Sequence, residues 1–243
     1  MTPCKNCETP LEARYCPQCG QKDIELERPL FELIAEALRE VFDLDGRVAR
    51  TLWTLTRHPG VLTTEFLAGR RRLYSSPLRL YIVVSVLFFV LAAWVVGQGD
   101  LLSEGQTLEA DAAGQARLFA DYIPGLMFVL LPAFALILKA GFRERFYIDH
   151  LIHSLHLHSV VYIVFALMLP LEQATANSKL AVVIQLVLFV CLMANFVTSV
   201  HRVYRVTWLV ATFKSIGILL SYMVLVAVSF EALSEYMLLS PSL

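Results

Sequence analysis

Five stretches of the chain are apolar over about the twenty residues that a helix needs to cross a bilayer's hydrocarbon core. They fall at 80–97, 122–140, 151–171, 180–200 and 215–233. The fifth can begin a few residues earlier, with Lys214 snorkelling to the headgroups. Ahead of them the pattern changes to amphipathic. Leu30, Leu33, Ile34, Ala37, Leu38, Val41 and Phe42 recur at helical spacing, opposite Glu32, Glu36, Arg39 and Glu40. Pro29 suits the first turn of such a helix. A second stretch places Val48, Leu52 and Leu55 on one side, with Trp53 nearby and Arg47, Arg50 and Arg57 supplying positive charge. That pattern predicts a helix in the membrane interface, or one packed on the helix before it. Pro59-Gly60 ends it.

These patterns divide the chain into a cysteine segment at 1–22, amphipathic helices at 23–78 and a membrane domain at 79–243. The expected class is mainly α: a polytopic bundle of about five spans with a small N-terminal metal ribbon. Composition agrees, with 57% hydrophobic and 17% charged residues. Soluble domains average about 45–50% and about 25%. The formal net charge of −1 points to no nucleic-acid partner.

Where the charges lie matters more. Arg70, Arg71, Arg72 and Arg79 precede the first span. Lys139, Arg143 and Arg145 separate the second from the third, and His201, Arg202, Arg205 and Lys214 the fourth from the fifth. The alternate loops hold Arg117 and Lys179 alone, and loop 98–121 is acidic. The positive-inside rule then predicts a cytoplasmic N-terminus and an external C-terminus. The arginine cluster reads first as a topology anchor, and otherwise as a site for anionic headgroups.

Four of five cysteines lie in the first twenty residues, as Cys4-x2-Cys7 and Cys16-x2-Cys19. No apolar leader precedes them, which predicts a reducing, cytosolic setting. Four thiolates in two such turns suit a closed, tetrahedral, structural zinc site. A redox dithiol is the alternative. A module this small has almost no core, so the metal would supply most of its folding energy. Cys191 stands alone in an apolar run and reads as a buried, inert thiol.

The third span opens with four of the six histidines. On a helix Asp149, His153 and His156 share one face, while His150, Ser154 and His158 form a second stripe. His201, at the inner end of the fourth span, is placed to meet His150 or His153. Ionisable groups in a bilayer are costly and face the bundle interior. Interhelical hydrogen bonding, a second metal site and a proton or substrate path all remain open. Pro132 should free a carbonyl near Phe128 in the second span.

Several ordered segments carry a resemblance. They are the Cys-x2-Cys…Tyr15-Cys16-Pro17-Gln18-Cys19-Gly20-Gln21 ribbon, Arg50-Thr51-Leu52, His58-Pro59-Gly60 and Phe66-Leu67-Ala68-Gly69-Arg70-Arg71. Tyr74…Pro77, Leu131-Pro132 and Phe146-Tyr147…Asp149-His150…Leu155-His156-Leu157-His158 follow. Along nearly its whole length the chain resembles the bacterial membrane family known as domain-of-unknown-function family 3667. The resemblance implies a multi-pass inner-membrane protein with a zinc ribbon, and implies no activity. His150, His156 and His158 fall at matching positions, whereas His153 is particular to this chain. Cys7-Glu8 departs from the Cys-Gly usual in such ribbons.

No nucleotide motif or zincin pair is present. The expected function is therefore a non-catalytic adaptor or scaffold that docks a cytosolic partner at the membrane. The alternative is a small proton- or metal-linked transporter or channel using the third-span histidines. Besides the bilayer, the expected partners are a cytosolic protein and a second copy of the chain.

Overall fold

The computed structural model describes residues 3, 9–10, 16–18, 47–70, 73–102, 122–174 and 179–239. The chain divides into two units, Met1–Leu44 and Asp45–Leu243. The expected helix at 30–42 lies outside the described residues, as do Cys4, Cys7, Cys19, Arg71 and Arg72. In the first unit, Pro3 and Pro10 form an antiparallel bridge. Thr9 Oγ1 donates to Gln18 Oε1, Pro17 and Gln18 form a turn, and Cys16 is buried.

The second unit is built of helices joined by turns, with no strand among its described residues. Two short helices, α1 (Arg47–Arg57) and α2 (Val61–Leu67), precede five long ones: α3 (Pro77–Leu102), α4 (Ile123–Gly141), α5 (Tyr147–Ala174), α6 (Lys179–Tyr204) and α7 (Trp208–Leu239). The five are long and apolar enough to cross a membrane. This is a membrane protein, with spans where the hydropathy pattern puts them. Each helix runs past the apolar stretch, because its polar ends find partners. Thus α5 begins at Tyr147 and α7 at Trp208. Lys214, inside α7, turns back to donate to the Gly141 carbonyl at 2.8 Å.

Helix α5 is the hub, packing against α1, α2, α3, α4 and α6. Its most apolar stretch is 44% buried, against 6% for that of α7, which is the most lipid-facing. Helix α3 leans on α5 through aromatic rings. Phe88 stacks on Tyr162 at 5.1 Å, and Tyr81 lies 5.9 Å from the same ring. Tyr81 is barely one turn into α3, whereas Tyr162 is about four turns into α5. The first turns of α5 therefore lie beyond the start of α3. The pair α1–α2 packs against that base, and α2 also packs on α6. Leu55 of α1 and Leu62 of α2 join the same apolar core as Leu80, Leu131 and Leu155. The amphipathic stretch is thus docked on the bundle, with Trp53 exposed and the Arg57 guanidinium over its ring.

Thr51, fully buried on α1, accepts the backbone N–H of Ser75 at 3.0 Å and donates to the Arg47 carbonyl. It thereby links α1 to the segment that enters α3. The turn between α1 and α2 presses on α6. A Cβ on Gly60 would stand 3.1 Å from the Ser199 carbonyl oxygen and 3.2 Å from its Cα, and Gly60 has φ 78°. The Pro59 carbonyl accepts from Arg202.

Basic side chains tie down other carbonyls at this end of the bundle. The last carbonyls of any helix lack intrahelical partners, and a cation there also complements the helix dipole. Arg145 donates to the Val203 carbonyl at 2.7 Å, and Lys139 to that of Arg143 at 2.7 Å. The residues from which orientation is read thus also close helix ends.

Gly69 has φ 81° but open space around it. An alanine at either glycine adopts a left-handed conformation costing about 1–2 kcal/mol. Gly60→Ala adds a clash against backbone, of about 1–3 kcal/mol. Denaturation of the purified protein should rank Gly60→Ala as clearly the more damaging. Equal losses would contradict the close approach to α6.

Candidate functional site

The histidines of α5 are all buried: His150 and His153 are 0% exposed, His156 5% and His158 6%. Each bonds a side chain of a neighbouring helix. His150 Nδ1 and His153 Nδ1 both meet the Tyr204 hydroxyl of α6, at 2.8 and 3.2 Å. His153 Nε2 lies 2.7 Å from Ser199 Oγ, also on α6. His156 Nδ1 lies 2.9 Å from Thr63 Oγ1 of α2. His158 Nε2 lies 3.0 Å from the Tyr222 hydroxyl of α7. Ser154, between them, donates to the Leu131 carbonyl of α4 at 3.1 Å. One helix thus holds four others through polar side chains.

A neutral imidazole has one N–H, which orders these bonds. His158 Nδ1 lies 2.9 Å from the Ser154 carbonyl, which only accepts. Nδ1 therefore carries the proton and Nε2 accepts from Tyr222. Tyr204 has one proton for two histidines, so it donates to one and accepts from the other. His150, Tyr204, His153 and Ser199 form a hydrogen-bonded chain that can run in either direction. His150 Nε2, at its start, has no hydrogen-bond partner among the described residues. Near Ser199, a void of about 10 Å³ is bordered by His58, Thr63, His156, Asn195 and Ser199. That is about the room one water needs, with polar partners to hold it.

Two of the expected members do not join. Asp149 is half-buried in the first turn of α5, where a carboxylate suits the helix N-terminus. His201 does not meet His150 or His153. Its Nδ1 donates to the Val206 carbonyl at 2.6 Å, and its ring stacks on Trp208 at 4.0 Å. Tyr204, three residues on, takes the place expected of it. The partners Thr63, Ser199, Tyr204 and Tyr222 carry no motif, and their pairing with histidine depends on helix register. Among the described residues, no group of three or more His, Cys, Asp or Glu side chains is placed to hold a metal ion.

Of the arginine cluster, Arg70 is engaged by Glu65 at 2.5 and 2.6 Å. That hydrogen bond holds the Glu65 carboxyl below the usual carboxylate range. A depressed carboxyl favours the fold above its unfolded pKa, near ~4.3, and loses that contribution as pH falls through the folded value. The pair therefore lends no pH dependence near neutrality. Arg79 is exposed in the first turn of α3.

Residues 45–89 match the family described as "Protein of unknown function (DUF3667)". The match covers α1, α2, the Gly60 turn and the first half of α3. It therefore includes Thr51, Pro59, Gly60 and Thr63, the residues that seat α1–α2 on α5 and α6. The cysteine segment and α5 fall outside it. No curated protein and no solved structure matches the chain.

Tyr204→Phe keeps the ring, which stacks on Phe142 at 3.8 Å, and strands a nitrogen on each of two histidines. Each stranded buried group costs about 1–3 kcal/mol, so the unfolding midpoint in detergent should fall markedly. Thr63→Val should act locally. Hydrogen exchange should rise across 47–67 while α7 stays protected. Uniform loss of protection would mean that α2 is not a separable element.

Proposed function

We propose that this protein is a non-catalytic membrane scaffold that docks a cytosolic partner through its N-terminal segment. The observation that carries the reading is the engagement of the α5 histidines. They are the chain's richest set of chemically capable side chains, and each bonds a neighbouring helix. Such bonds suit a rigid platform better than a site that must bind and release a substrate. The seating of α1–α2 on α5 and α6 supports the same reading, because it adds to the rigidity of the bundle.

The cysteine set suits one structural zinc ion. Four thiolates complete its tetrahedron, and Cys16 is buried beside a turn. Among the described residues of this segment, Thr9 bonds to Gln18 and Pro3 pairs with Pro10. In this reading Cys4, Cys7, Cys16 and Cys19 hold the ion and leave no site for substrate. The positive loops favour a cytoplasmic N-terminus, and the family resemblance favours the inner membrane of a bacterial cell. A proton-linked transporter finds its best support in the reversible chain from His150 to Ser199.

Elemental analysis of the full chain should give one zinc per protein, lost in a Cys16→Ser/Cys19→Ser variant whose spans still insert. Deleting residues 1–22 should abolish capture of a cytosolic partner by membranes bearing the protein. Zinc that survives the cysteine replacements would overturn the ribbon. A partner retained by the deletion would overturn the docking role.

A further inference from the structure

Between the spans lies a second, much larger cavity of about 410 Å³, lined by side chains of all five long helices. From α5 its lining runs from Leu157 to Phe165, and from α7 from Leu219 to Phe230. At 1.5 Å per residue these segments begin roughly 15 Å from the helix starts at Tyr147 and Trp208. The cavity thus occupies the half of the bundle remote from the loops that carry Arg143 and Arg205.

Its walls are aromatic and aliphatic, with Phe88, Phe134, Phe189 and Phe230 prominent. Four polar side chains border it, His158, Tyr162, Asn195 and Tyr222, and they present almost no polar surface to it. His158 and Tyr222 are bonded to each other, and His158 Nδ1 is held by the Ser154 carbonyl. Water is not a suitable occupant, since a buried water needs two to four polar partners. An ion would find no ligands. The cavity is open on one side, and apolar walls left without partner atoms forfeit their dispersion contacts. The chain's own segment 103–121 is a poor filler, because it carries Glu104, Glu109, Asp111 and Asp121. The medium that surrounds five lipid-facing helices is hydrocarbon.

We propose that the cavity is an intramembrane binding site for one acyl chain of a membrane phospholipid. The volume is far above the ~10–15 Å³ that one water needs on the same measure, and leaves room for an extended hydrocarbon chain. The lipid is an integral part of the bundle, seated where α7 would otherwise leave α5 uncovered beyond the His158–Tyr222 bond. The site is independent of the cysteine segment and of any docking partner.

The test uses the full chain, purified from lipid vesicles of phosphatidylcholine and taken through exhaustive detergent exchange. Mass spectrometry of the intact protein should find about one phospholipid retained per chain. Val226→Trp and Met193→Trp place a large ring inside the cavity, and should cut retention at least five-fold. Because they add volume to a void, both should unfold at or above the temperature of the parent. A phosphatidylcholine with a diazirine in its acyl chain should label 157–165 and 219–230 saturably, and label exposed Leu186 or Val190 without saturation. No retained lipid, retention unchanged in both filled variants, or non-saturable labelling throughout would each overturn the proposal. So would a loss of retention on deleting 103–121 with the cavity residues intact, since the lipid would then be held by that segment.

Discussion

In hydrocarbon a polar side chain must find its partner within the protein. The base of α5 carries His150, His153, Ser154, His156, His158 and Ser159, and this constraint organises everything packed around it. A helix so polar cannot face lipid on any side along these turns. Residues 152–160 are accordingly buried without interruption. Helices α2, α4, α6 and α7 are where they are because each supplies a bonding group or covers one. The arrangement specifies register more tightly than apolar packing would. A one-residue slip of α6 would remove Tyr204 from two histidines and Ser199 from a third contact.

The same constraint explains the two short helices. Helix α3 starts level with the middle of α5, so it leaves the polar base of α5 open on one side. The α1–α2 pair covers this side, and Thr63 satisfies His156 there. Its turn approaches α6 so closely that Gly60 has no room for a side chain. The stretch similar to a known family is this same covering element together with the helix it leads into.

The spans were legible because hydropathy over twenty residues is a local property of the sequence. The burial of the α5 histidines was legible for the same reason, as four ionisable residues in a span can only face inward. Their partners were not. Tyr204 and His201 lie three residues apart at the same helix end, and both suit a polar contact. Which one meets His150 depends on how α6 is rotated, and that rotation is tied to Val200 in the core shared with α4 and α7, and to Val203 buried nearby. Thr63 was hidden for another reason. A threonine in a short amphipathic helix looks like surface until the helix is seen to cover a bundle. The four-cysteine segment carries an expectation of zinc from thiolate spacing, and Cys4, Cys7 and Cys19 lie outside the described residues. What that module meets is not encoded in spacing.

The polar and apolar halves of the bundle follow from one another. Hydrogen bonds draw the helices together near the basic loops, where α5 is polar and Lys139, Arg145, Arg202 and Lys214 close the carbonyls. Beyond His158, α5 turns apolar, and only aromatic and aliphatic contacts remain. Those contacts are not directional, and between apolar helices in lipid they are not favoured over contacts with acyl chains. The His158–Tyr222 bond therefore marks a boundary. Below it, helix–helix contact is enforced, and above it, α7 is free to diverge. A cavity is expected where tight packing ceases to have a reason, and it opens at this level. The polar row and the apolar cavity are thus two consequences of a single change in composition along α5.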